Sequence, residues 1–363
     1  MQQVRLGIIG CGVIAEYHLR AAVAASHIRV TALADVRVEL AQQKAREFAV
    51  PKFYADGSAL LNDPEVDAVV LALPTAVRFD LAMEALRNGK HVLLEKPPAM
   101  NANQLREMIK VRGDRVVACC SARNRFLESA RVASEAVLSG ALGEIRVVHC
   151  RAMDPAEAKP QSSPPAWRSN RGLNGGGIFV NWGSYDLDYL LGICGWRLQP
   201  QLVLAQTWSP APALCDHVAP GSDAETHVAA MVRCQNGAVI HYERGELTSC
   251  TKTESWQIVG TKATLRLHLN PGKNNRVILD KIESDGVHTT VLWEGDETDQ
   301  EVHAGPVTDF ATAIQTGAQP RTNLEQALVL QSIFDAVYES AASGQAVRIE
   351  GENPNDETRN PNQ

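Results

Sequence analysis

The 363-residue sequence lacks the features that mark several common classes of protein. It has no block rich in Lys and Arg, and its formal net charge of −7 argues against nucleic-acid binding. No apolar run approaches the ~20 residues that a membrane-spanning helix needs. Its first residues do not combine the charged segment, apolar core and cleavage site of a signal peptide. We therefore expect a cytoplasmic protein whose partners include neither nucleic acid nor membrane.

The eight cysteines include no C-x-x-C motif, and neither they nor the ten histidines cluster at metal-ligand spacing. Cys119 and Cys120 are adjacent, and the other cysteines are scattered. In a cytosolic chain of this size, such cysteines are expected to be reduced and mostly buried. The sequence therefore predicts no metal site.

A chain of this length usually folds as two domains, because single cores stop growing near roughly 250–300 residues. Within residues 1–122, short apolar runs rich in β-branched residues alternate with helical patterns. This alternation indicates a parallel sheet covered by helices on both faces. The predicted strands are 4–10, 30–35, 68–73, 91–97 and 115–122, and the predicted helices are 13–25, 37–48, 79–89 and 101–111.

A different pattern occupies residues 123–350, which include all six tryptophans. Long alternating runs predict a second, α+β domain with a large, mainly antiparallel open sheet. Residues 154–177 form a long loop of the kind that is often functional, and residues 351–363 are expected to be disordered. The predicted strands are 145–151, 226–234, 238–247, 255–260, 263–269, 276–282 and 289–295, and the helices are 307–317 and 323–343.

Residues 10–15, GCGVIA, match the G-x-G-x-x-[GA] pattern and lie between the first strand and the first helix. Gly10 would allow the tight turn, and Gly12 would let a pyrophosphate approach the backbone. Val13 and Ile14 would open the helix whose N-terminus favours the anion. The pattern predicts a dinucleotide-binding Rossmann turn, although an unrelated α/β domain could also contain such a glycine turn.

Asp35 ends the second predicted strand, where a carboxylate would accept hydrogen bonds from the ribose hydroxyls of adenosine. A carboxylate there repels a 2′-phosphate, so the sequence favours NAD over NADP. Arg37 leaves NADP possible, because a guanidinium could meet that phosphate.

Two short motifs follow neighbouring strands of the first sheet. Leu73, Pro74 and Thr75 end the third strand, and Glu95-Lys96-Pro97 end the fourth. Ligands of such sheets bind at the carboxyl ends of the strands. The alternative is an ordinary solvated strand end, since Lys and Glu usually lie on the surface.

Residues 175–188, GGGIFVNWGSYDLD, combine three glycines with an apolar run that carries polar residues. Read as a helix, the run places Asn181, Tyr185 and Asp188 at i, i+4 and i+7, on one face. An apolar stripe about 100° away would be buried, while the polar face would line the crevice. An amphipathic surface helix would give the same pattern.

Several runs together resemble the Gfo/Idh/MocA family: GIIGCGVIAEYH, LEKP, GALGEI, GGG…G…D, GTKATL and the closing DFATAIQTG…ALVLQSIFDAVYESAASGQAV. The resemblance covers about residues 4–349 in order. It implies an N-terminal Rossmann domain and a C-terminal domain whose open sheet makes a homodimer or homotetramer. It also implies an NAD(P)-dependent oxidoreductase that acts on a sugar, a cyclitol or a related polyol or ketone.

The resemblance also implies roles for individual residues. Lys96 would lie beside the nicotinamide and the reacting carbon, and Glu95 would help to place the cofactor. Many members carry a histidine and an aspartate where this chain has Tyr185 and Asn181. Tyrosine has precedent at this place, and a nearby Lys⁺ would lower its pKa. We therefore expect Lys96 and Tyr185 to handle the substrate proton, with Asn181 as a neutral hydrogen-bonding group and Asp188 as a substrate contact.

Arg78 stands where the family often has a histidine, so this position departs from the family pattern. Three more positions complete the expected site. Arg125 follows the last strand of the first domain and could reach the cleft. Trp167 and Arg168 match a Trp-Arg pair that the family often places near the cofactor or substrate, where Arg168 would suit an anionic or polyhydroxy molecule.

Two other functions remain open from the sequence. The departures at Asn181 and Tyr185 favour a dinucleotide-binding sensor without activity, whereas the presence of Lys96 argues against one. The other is an NAD-dependent hydrolase or lyase, in which transient oxidation acidifies a neighbouring C–H.

Overall fold

The computed structural model describes residues 3–160 and 165–349. The predicted tail at 351–363 and part of the predicted loop, residues 161–164, lie outside the described residues. Within the described ranges the chain forms a six-stranded sheet and a nine-stranded sheet, each packed against helices. The predicted fold class is confirmed.

The first sheet is parallel throughout, with the order β3-β2-β1-β4-β5-β6, so its topological switch lies between β1 and β4. Its strands are nearly all apolar and buried, as expected for a sheet covered on both faces. The strands are β1 (Val4–Ile9), β2 (Ile28–Ala34), β3 (Lys52–Tyr54), β4 (Ala68–Leu71), β5 (His91–Leu94) and β6 (Val117–Cys119). The helices are α1 (Val13–Ala24), α2 (Val38–Glu47), α3 (Gly57–Leu61), α4 (Thr75–Arg87) and α5 (Ala102–Val111).

Strands β4, β5 and β6 each end earlier than the sequence predicted, because the next residues leave the sheet to form the crevice. A 3-10 helix, Cys120–Phe126, follows β6 directly. The short elements β3 and α3 were missed, since three and five residues are too few to show a period.

The second sheet has the order β14-β13-β12-β11-β7-β10-β9-β8-β15, and only the pair β7–β10 among its described neighbours is parallel. The sequence missed β15, which has two residues, and its neighbour β8. The strands are β7 (Ile145–Pro155), β8 (Pro200–Trp208), β9 (His227–Cys234), β10 (Val239–Thr248), β11 (Thr253–Gly260), β12 (Ala263–Leu267), β13 (Asn275–Glu283), β14 (Gly286–Gly295) and β15 (Val347–Arg348). The helices are α6 (Glu128–Leu138), α7 (Arg171–Asn174), α8 (Ser184–Ile193), α9 (Asp299–Thr316) and α10 (Leu324–Ser343).

One face of the second sheet packs against α6, α8 and α10 to form the larger core, while the other face stays open. The alternation along β7 and β10 is clear: Val148 and Ile240 are buried, whereas their neighbours His149 and His241 point away from the core. No helix among the described residues has the length and apolarity to cross a bilayer.

Helix α9 begins at Asp299 rather than at residue 307, and Pro306 lies inside it. A proline removes one backbone donor, and here the buried side chains of Val302 and Val307 on either side hold the helix in place. Three residues of α9 (Val307, Phe310 and Ala311) and two of α10 (Leu324 and Ala327) belong to the cores of the first sheet. The division at residue 122 stays a prediction. Helices α9 and α10, which follow it in the chain, pack against the first sheet and complete its core.

Candidate active site

The glycine-rich turn lies at the carboxyl end of β1 and opens α1. Gly10 has φ +93°, and a Cβ there would lie 2.3 Å from the Ala72 carbonyl oxygen, so only glycine fits this turn. Gly12 is the N-cap of α1, and a Cβ on it would meet no atom within 4 Å. Open space therefore lies before a helix N-terminus formed by Val13 and Ile14, which is the cradle that a pyrophosphate needs.

Asp35 follows β2 and is fixed beside the same turn. Its two carboxylate oxygens accept the backbone N–H groups of Cys11 and Arg37, each at 2.8 Å. The exposed guanidinium of Arg37 lies 3.6 Å from the same carboxylate. The turn and this carboxylate together fit the pyrophosphate and ribose of a dinucleotide, as the sequence predicted.

Arg78 connects the two loops that follow β4 and β5. Its buried guanidinium donates to the carbonyl oxygens of Leu73 and Glu95, both at 2.5 Å, and to that of Pro97. The residue that departs from the family pattern therefore holds both crevice loops through their backbones. Thr75 is fully buried, and its hydroxyl lies 3.4 Å from Asn174 on α7.

Glu95 and His18 form a buried pair that ties the end of β5 to α1. His18 Nε2 lies 2.8 Å from Glu95 Oε1, and Glu95 Oε2 accepts the Lys96 backbone N–H at 3.0 Å. Burial alone would raise the pKa of Glu95, but the hydrogen bond and charge of His18, with Arg78 and Lys96, lower it to about 2. Glu95 is thus a fixed anion that orients the lysine beside it.

Lys96 extends from this turn toward the first turn of the helical run at 178–193. Its ammonium donates to the backbone carbonyl of Asn181 at 2.8 Å. Asn181 lies in a π-helical turn, Phe179–Gly183, where the regular i→i−4 ladder is interrupted. Burial, together with the charges of Arg123, Arg168 and Arg78, outweighs Glu95 and lowers the pKa of Lys96 to about 7.

Tyr185 is 4% exposed and lies between cations. Lys96 Nζ is 4.9 Å from its ring centre, and the Arg123 guanidinium carbon is 3.6 Å from it. Its hydroxyl makes no hydrogen bond with any described residue. Burial raises the pKa of Tyr185, with Arg123 opposing. The expectation that Lys96 would lower this pKa is wrong, because the loss of hydration outweighs the neighbouring positive charge.

The polar residues of the 175–188 segment do not form a solvent-facing stripe. Asn181, Tyr185 and Asp188 are all buried, so the surface-helix alternative is excluded. Asp188 accepts Arg125 Nε at 2.6 Å, and the hydroxyls of Ser121 and Thr322, also at 2.6 Å.

Arg125 and Asp188 therefore satisfy each other inside the protein, and this geometry does not bring them to the crevice as the substrate contacts that the sequence suggested. Asn181 lies inside the π-helical turn, whose wider winding changes the angle between Asn181 and the later Asp188 and therefore the face on which Asp188 lies.

Two of the three glycines, Gly176 and Gly177, allow close approach of protein rather than of ligand. A Cβ on Gly176 would lie 1.9 Å from the Tyr338 hydroxyl, and one on Gly177 would lie 2.0 Å from the Glu225 carbonyl oxygen. The buried Glu225 carboxylate accepts the N–H groups of Gly177 and Phe179 at 2.9–3.1 Å, and the Tyr338 hydroxyl at 2.8 Å. Gly175, with φ +88°, ends α7.

Trp167 and Arg168 lie in a 3-10 helix, Ala166–Ser169, at the rim of the crevice. Trp167 is 43% exposed, and Arg168 is also exposed. The charge of Arg168 contributes to the low pKa of Lys96, so the structure brings this arginine near the lysine.

Sequence reasoning missed Arg123 and His303. Arg123 lies over Tyr185, two residues before the arginine that was chosen. His303, on α9, stacks on Tyr17 of α1 with ring centres 4.3 Å apart, and burial with the charge of Arg123 lowers its pKa to about 4. No local signal distinguishes either residue, because long-range packing places them. His18, by contrast, lies within the quoted GIIGCGVIAEYH run and could have been singled out.

His18, Glu95 and Cys120 bring potential metal ligands within 4.8 Å of one another. The 2.8 Å contact between His18 and Glu95 is already a hydrogen bond, and burial raises the pKa of the Cys120 thiol well above its usual value. A protonated thiol is a poor metal ligand, so we assign this cluster to hydrogen bonding.

The glycine turn at the N-terminus of α1, the carboxylate after β2 and the partly buried lysine after β5 together define the site of a dinucleotide-dependent oxidoreductase. Comparison with known proteins agrees. The NAD-binding Rossmann-fold model of the oxidoreductase family matches residues 4–119, and the Gfo/Idh/MocA C-terminal domain model matches residues 130–266. The chain belongs to the Gfo/Idh/MocA family and is an NAD-dependent oxidoreductase. The predicted family, cofactor and enzyme class are confirmed.

Relatives align along nearly the whole chain. A 1,5-anhydro-D-fructose reductase of Ensifer adhaerens is 27% identical, covering 95% of this chain and 98% of the relative. A D-glucoside 3-dehydrogenase of Escherichia coli is 24% identical, covering 95% and 97%. A myo-inositol 2-dehydrogenase of Thermotoga maritima is 23% identical, covering 96% and 99%.

Solved structures show the same fold. An oxidoreductase domain protein from Kribbella flavida has a TM-score of 0.84 at 19% identity, covering 97% of this chain and 100% of the other. A levoglucosan dehydrogenase in complex with NADH has a TM-score of 0.81 at 21% identity, covering 96% and 100%.

Proposed function

We propose that the protein interconverts the alcohol and carbonyl forms of a sugar-like polyol, and that Lys96 carries the substrate proton. The sugar and cyclitol substrates in the names of the relatives support the substrate class. One observation supports the role of Lys96: its partly buried amine has a pKa of about 7, so both of its protonation states are accessible near neutral pH.

In the oxidative direction, neutral Lys96 accepts the proton of the substrate hydroxyl as the C–H bond gives up hydride and the C=O bond forms. Bound NAD supplies the hydride acceptor. In the reductive direction, the Lys96 ammonium returns the proton to the carbonyl oxygen. The Asn181 carbonyl holds Nζ in place through its 2.8 Å hydrogen bond.

Tyr185 has a different role in this scheme. Because its pKa is raised, its hydroxyl stays protonated and donates a hydrogen bond to the substrate oxygen. Asn181 contributes its backbone carbonyl to Lys96, while its side chain lies 3.3 Å from the Asn174 amide. Gly12 and Asp35 would hold the pyrophosphate and the ribose, and the carboxylate disfavours the 2′-phosphate of NADP.

The test is steady-state turnover of a polyol and sugar panel with NAD⁺, using Lys96→Met and Tyr185→Phe. Met keeps the packing of the lysine stem. We expect Lys96→Met to lower kcat/KM by roughly 10²–10⁴-fold. Tyr185→Phe removes one hydrogen bond, so we expect a loss of about tenfold. Lys110→Met, on the exposed face of α5, is the matched control.

NADH fluorescence of each variant separates binding from turnover. Wild-type protein that binds NADH but turns over no member of the panel would favour the sensor. Products of unchanged oxidation state would favour the hydrolase or lyase. Full activity in Lys96→Met would refute the role of the lysine.

We further propose that the open face of the second sheet forms a homodimer or homotetramer interface. Leu204 and Met231 are cross-strand partners on that face, exposed by 46% and 43%. Trp208, also on β8, is 45% exposed. An apolar surface of this kind is typical of a protein interface.

A further inference from the structure

Cations and aromatic rings alternate in a layer that runs from the second sheet to the crevice. The Arg244 guanidinium lies 4.4 Å from the ring centre of Trp182, and Arg123 lies 5.9 Å from the same ring. Arg123 also lies 3.6 Å from the ring centre of Tyr185, which Lys96 approaches to 4.9 Å. Three cations therefore lie beside two aromatic rings, and Lys96 is the last cation of the layer.

A carboxylate forms an ion pair with this layer at its Arg244 end. Asp186 lies 3.0 Å from Arg244. Among residues 3–160 and 165–349, no carboxylate lies within ion-pair distance of Arg123 or Arg168. The Nε of Arg123 is buried and has no hydrogen-bond partner there. Arg123 is partly buried, and a buried donor without a partner is costly, so an anionic ligand at this guanidinium would supply the missing acceptor and the counter-charge.

Nearby acids do not supply that charge. Glu95 already shares its carboxylate with His18 and the Lys96 backbone. Glu246 lies near Arg168, but burial raises the pKa of Glu246, which favours its uncharged form. The positive charges of Arg123 and Arg168 both bear on Lys96, which places the excess charge beside the reacting group.

We propose that the substrate carries an anionic group, a carboxylate or a phosphate, which Arg123 binds with support from Arg168. This inference rests on the proposed function, because it assigns the substrate class of that same site. Stacking on Tyr185 holds the guanidinium plane and leaves its edge for hydrogen bonding, the geometry in which arginine binds planar oxyanions. The pyrophosphate of the dinucleotide has its own cradle at Gly12, which follows β1, whereas Arg123 follows β6; in the sheet, β5, which leads to Lys96, lies between these two strands.

The experiment measures binding by titration calorimetry at saturating NADH, with glucose, glucuronate and glucose 6-phosphate as probes. We expect at least one of the two anions to bind roughly 10–100-fold tighter than glucose, as a charge-assisted contact would give. Raising the ionic strength should weaken the binding of the anion and leave the affinity for glucose unchanged. The anion that shows the preference identifies the group as carboxylate or phosphate.

Arg123→Gln should reduce the ratio of anion to glucose affinity at least tenfold, and Arg123→Lys should keep part of it. Arg168→Gln, in the exposed 3-10 helix, tests the same charge without disturbing buried packing, and should reduce the ratio less. Arg87→Gln is the matched control, because Arg87 is exposed at the end of α4 and forms no ion pair with a described residue. This variant should leave the ratio of anion to glucose affinity unchanged.

Equal binding of all three probes, or a preference that survives in both Arg123→Gln and Arg168→Gln, would overturn the inference. Turnover of the same probes with NAD⁺ tests the proposed function separately. Anion binding that depends on Arg123 without any turnover would contradict the proposed function alone. Turnover of neutral polyols without a preference for anions would contradict this inference alone.

Discussion

At the scale of single residues, burial has opposite acid–base consequences for Lys96 and Tyr185. Burial removes hydration from both Lys96 and Tyr185 and therefore favours the uncharged form of each. For lysine, the uncharged form is the base, and the pKa of about 7 makes it abundant near neutral pH. For tyrosine, the uncharged form is the acid, so the same burial makes Tyr185 a donor.

The pH profile follows from the lysine. Because its pKa is lowered to about 7, oxidation requires the neutral amine, which predominates above that pH. We expect kcat/KM for oxidation to fall tenfold per pH unit below about pH 7 and to level off above it. Reduction requires the ammonium, so its kcat/KM should fall above about pH 7. Initial rates from pH 5 to 9 measure both limbs.

Two variants show which residue causes this pH dependence. Tyr185→Phe should lower the maximal kcat/KM without shifting the pH at which it begins to fall. Lys96→Met should remove the pH dependence along with most of the activity. A limb that persists unchanged in Lys96→Met would mean that another group titrates in the rate-determining step.

The sequence can place residues that directly follow a predictable strand, while their roles stay predictions. Lys96 and Glu95 follow a recognisable strand, and the carboxyl ends of parallel strands meet in the crevice. The sequence did not show that Arg123, rather than Arg125, lies over Tyr185, because both arginines lie in a 3-10 helix whose direction depends on packing. Arg125 instead donates a hydrogen bond to the buried Asp188. The two residues are 63 positions apart, so the local sequence does not reveal this contact.

At the scale of elements, the run at 178–193 depends on a carboxylate from a distant loop. Glu225 accepts the N–H groups of Gly177 and Phe179 at the start of this run, where a helix leaves its first donors unpaired. The same carboxylate accepts the Tyr338 hydroxyl of α10. One buried side chain thereby fixes the segment that carries Asn181 and Tyr185.

Replacing that carboxylate should destabilise the fold. Glu225→Gln keeps the size, but its NH2 group replaces the oxygen that lies 2.9 Å from the Gly177 nitrogen, so two donors face each other and the negative charge is lost. We expect a loss of about 2–4 kcal/mol in the free energy of unfolding, measured by urea denaturation. Glu39→Gln, on the exposed face of α2, should change it by less than about 0.5 kcal/mol.

Tyr338→Phe removes one of the bonds to Glu225 and should cost about 1 kcal/mol in the same measurement. Equal stability of Glu225→Gln and the Glu39→Gln control would show that the carboxylate does not hold the start of the helical run. The sequence suggested neither contact, because Gly177 and Glu225 are far apart in the chain and only the glycines hinted at close approach.

At the scale of the whole molecule, the two faces of the second sheet have different surroundings. One face is covered by helices, and the other carries a row formed by Leu204, Met231, His241 and His149 on adjacent strands. The two histidine rings of this row stack with centres 5.4 Å apart. Apolar and aromatic groups in one row suit contact with a second copy of the sheet.

Met231→Lys should therefore dissociate the proposed oligomer, because an interface related by two-fold symmetry would bury two new charges. Light scattering coupled to size-exclusion chromatography should show wild-type protein at a multiple of the chain mass and the variant at a smaller one. Val23→Lys, at an exposed position near the end of α1, makes a comparable change away from the sheet. A wild-type protein with the mass of a single chain would contradict the proposal.

The return of α9 to the first sheet also sets an order of events during synthesis. Phe310 and its neighbours in α9 complete a core whose last strand, β6, ends at Cys119. About 180 residues separate that strand from α9. A ribosome that adds roughly 5–20 residues per second would need about 10–40 s to make them. During that interval the nascent first domain lacks the apolar side chains of α9, so its core is complete only after residue 311 has been made.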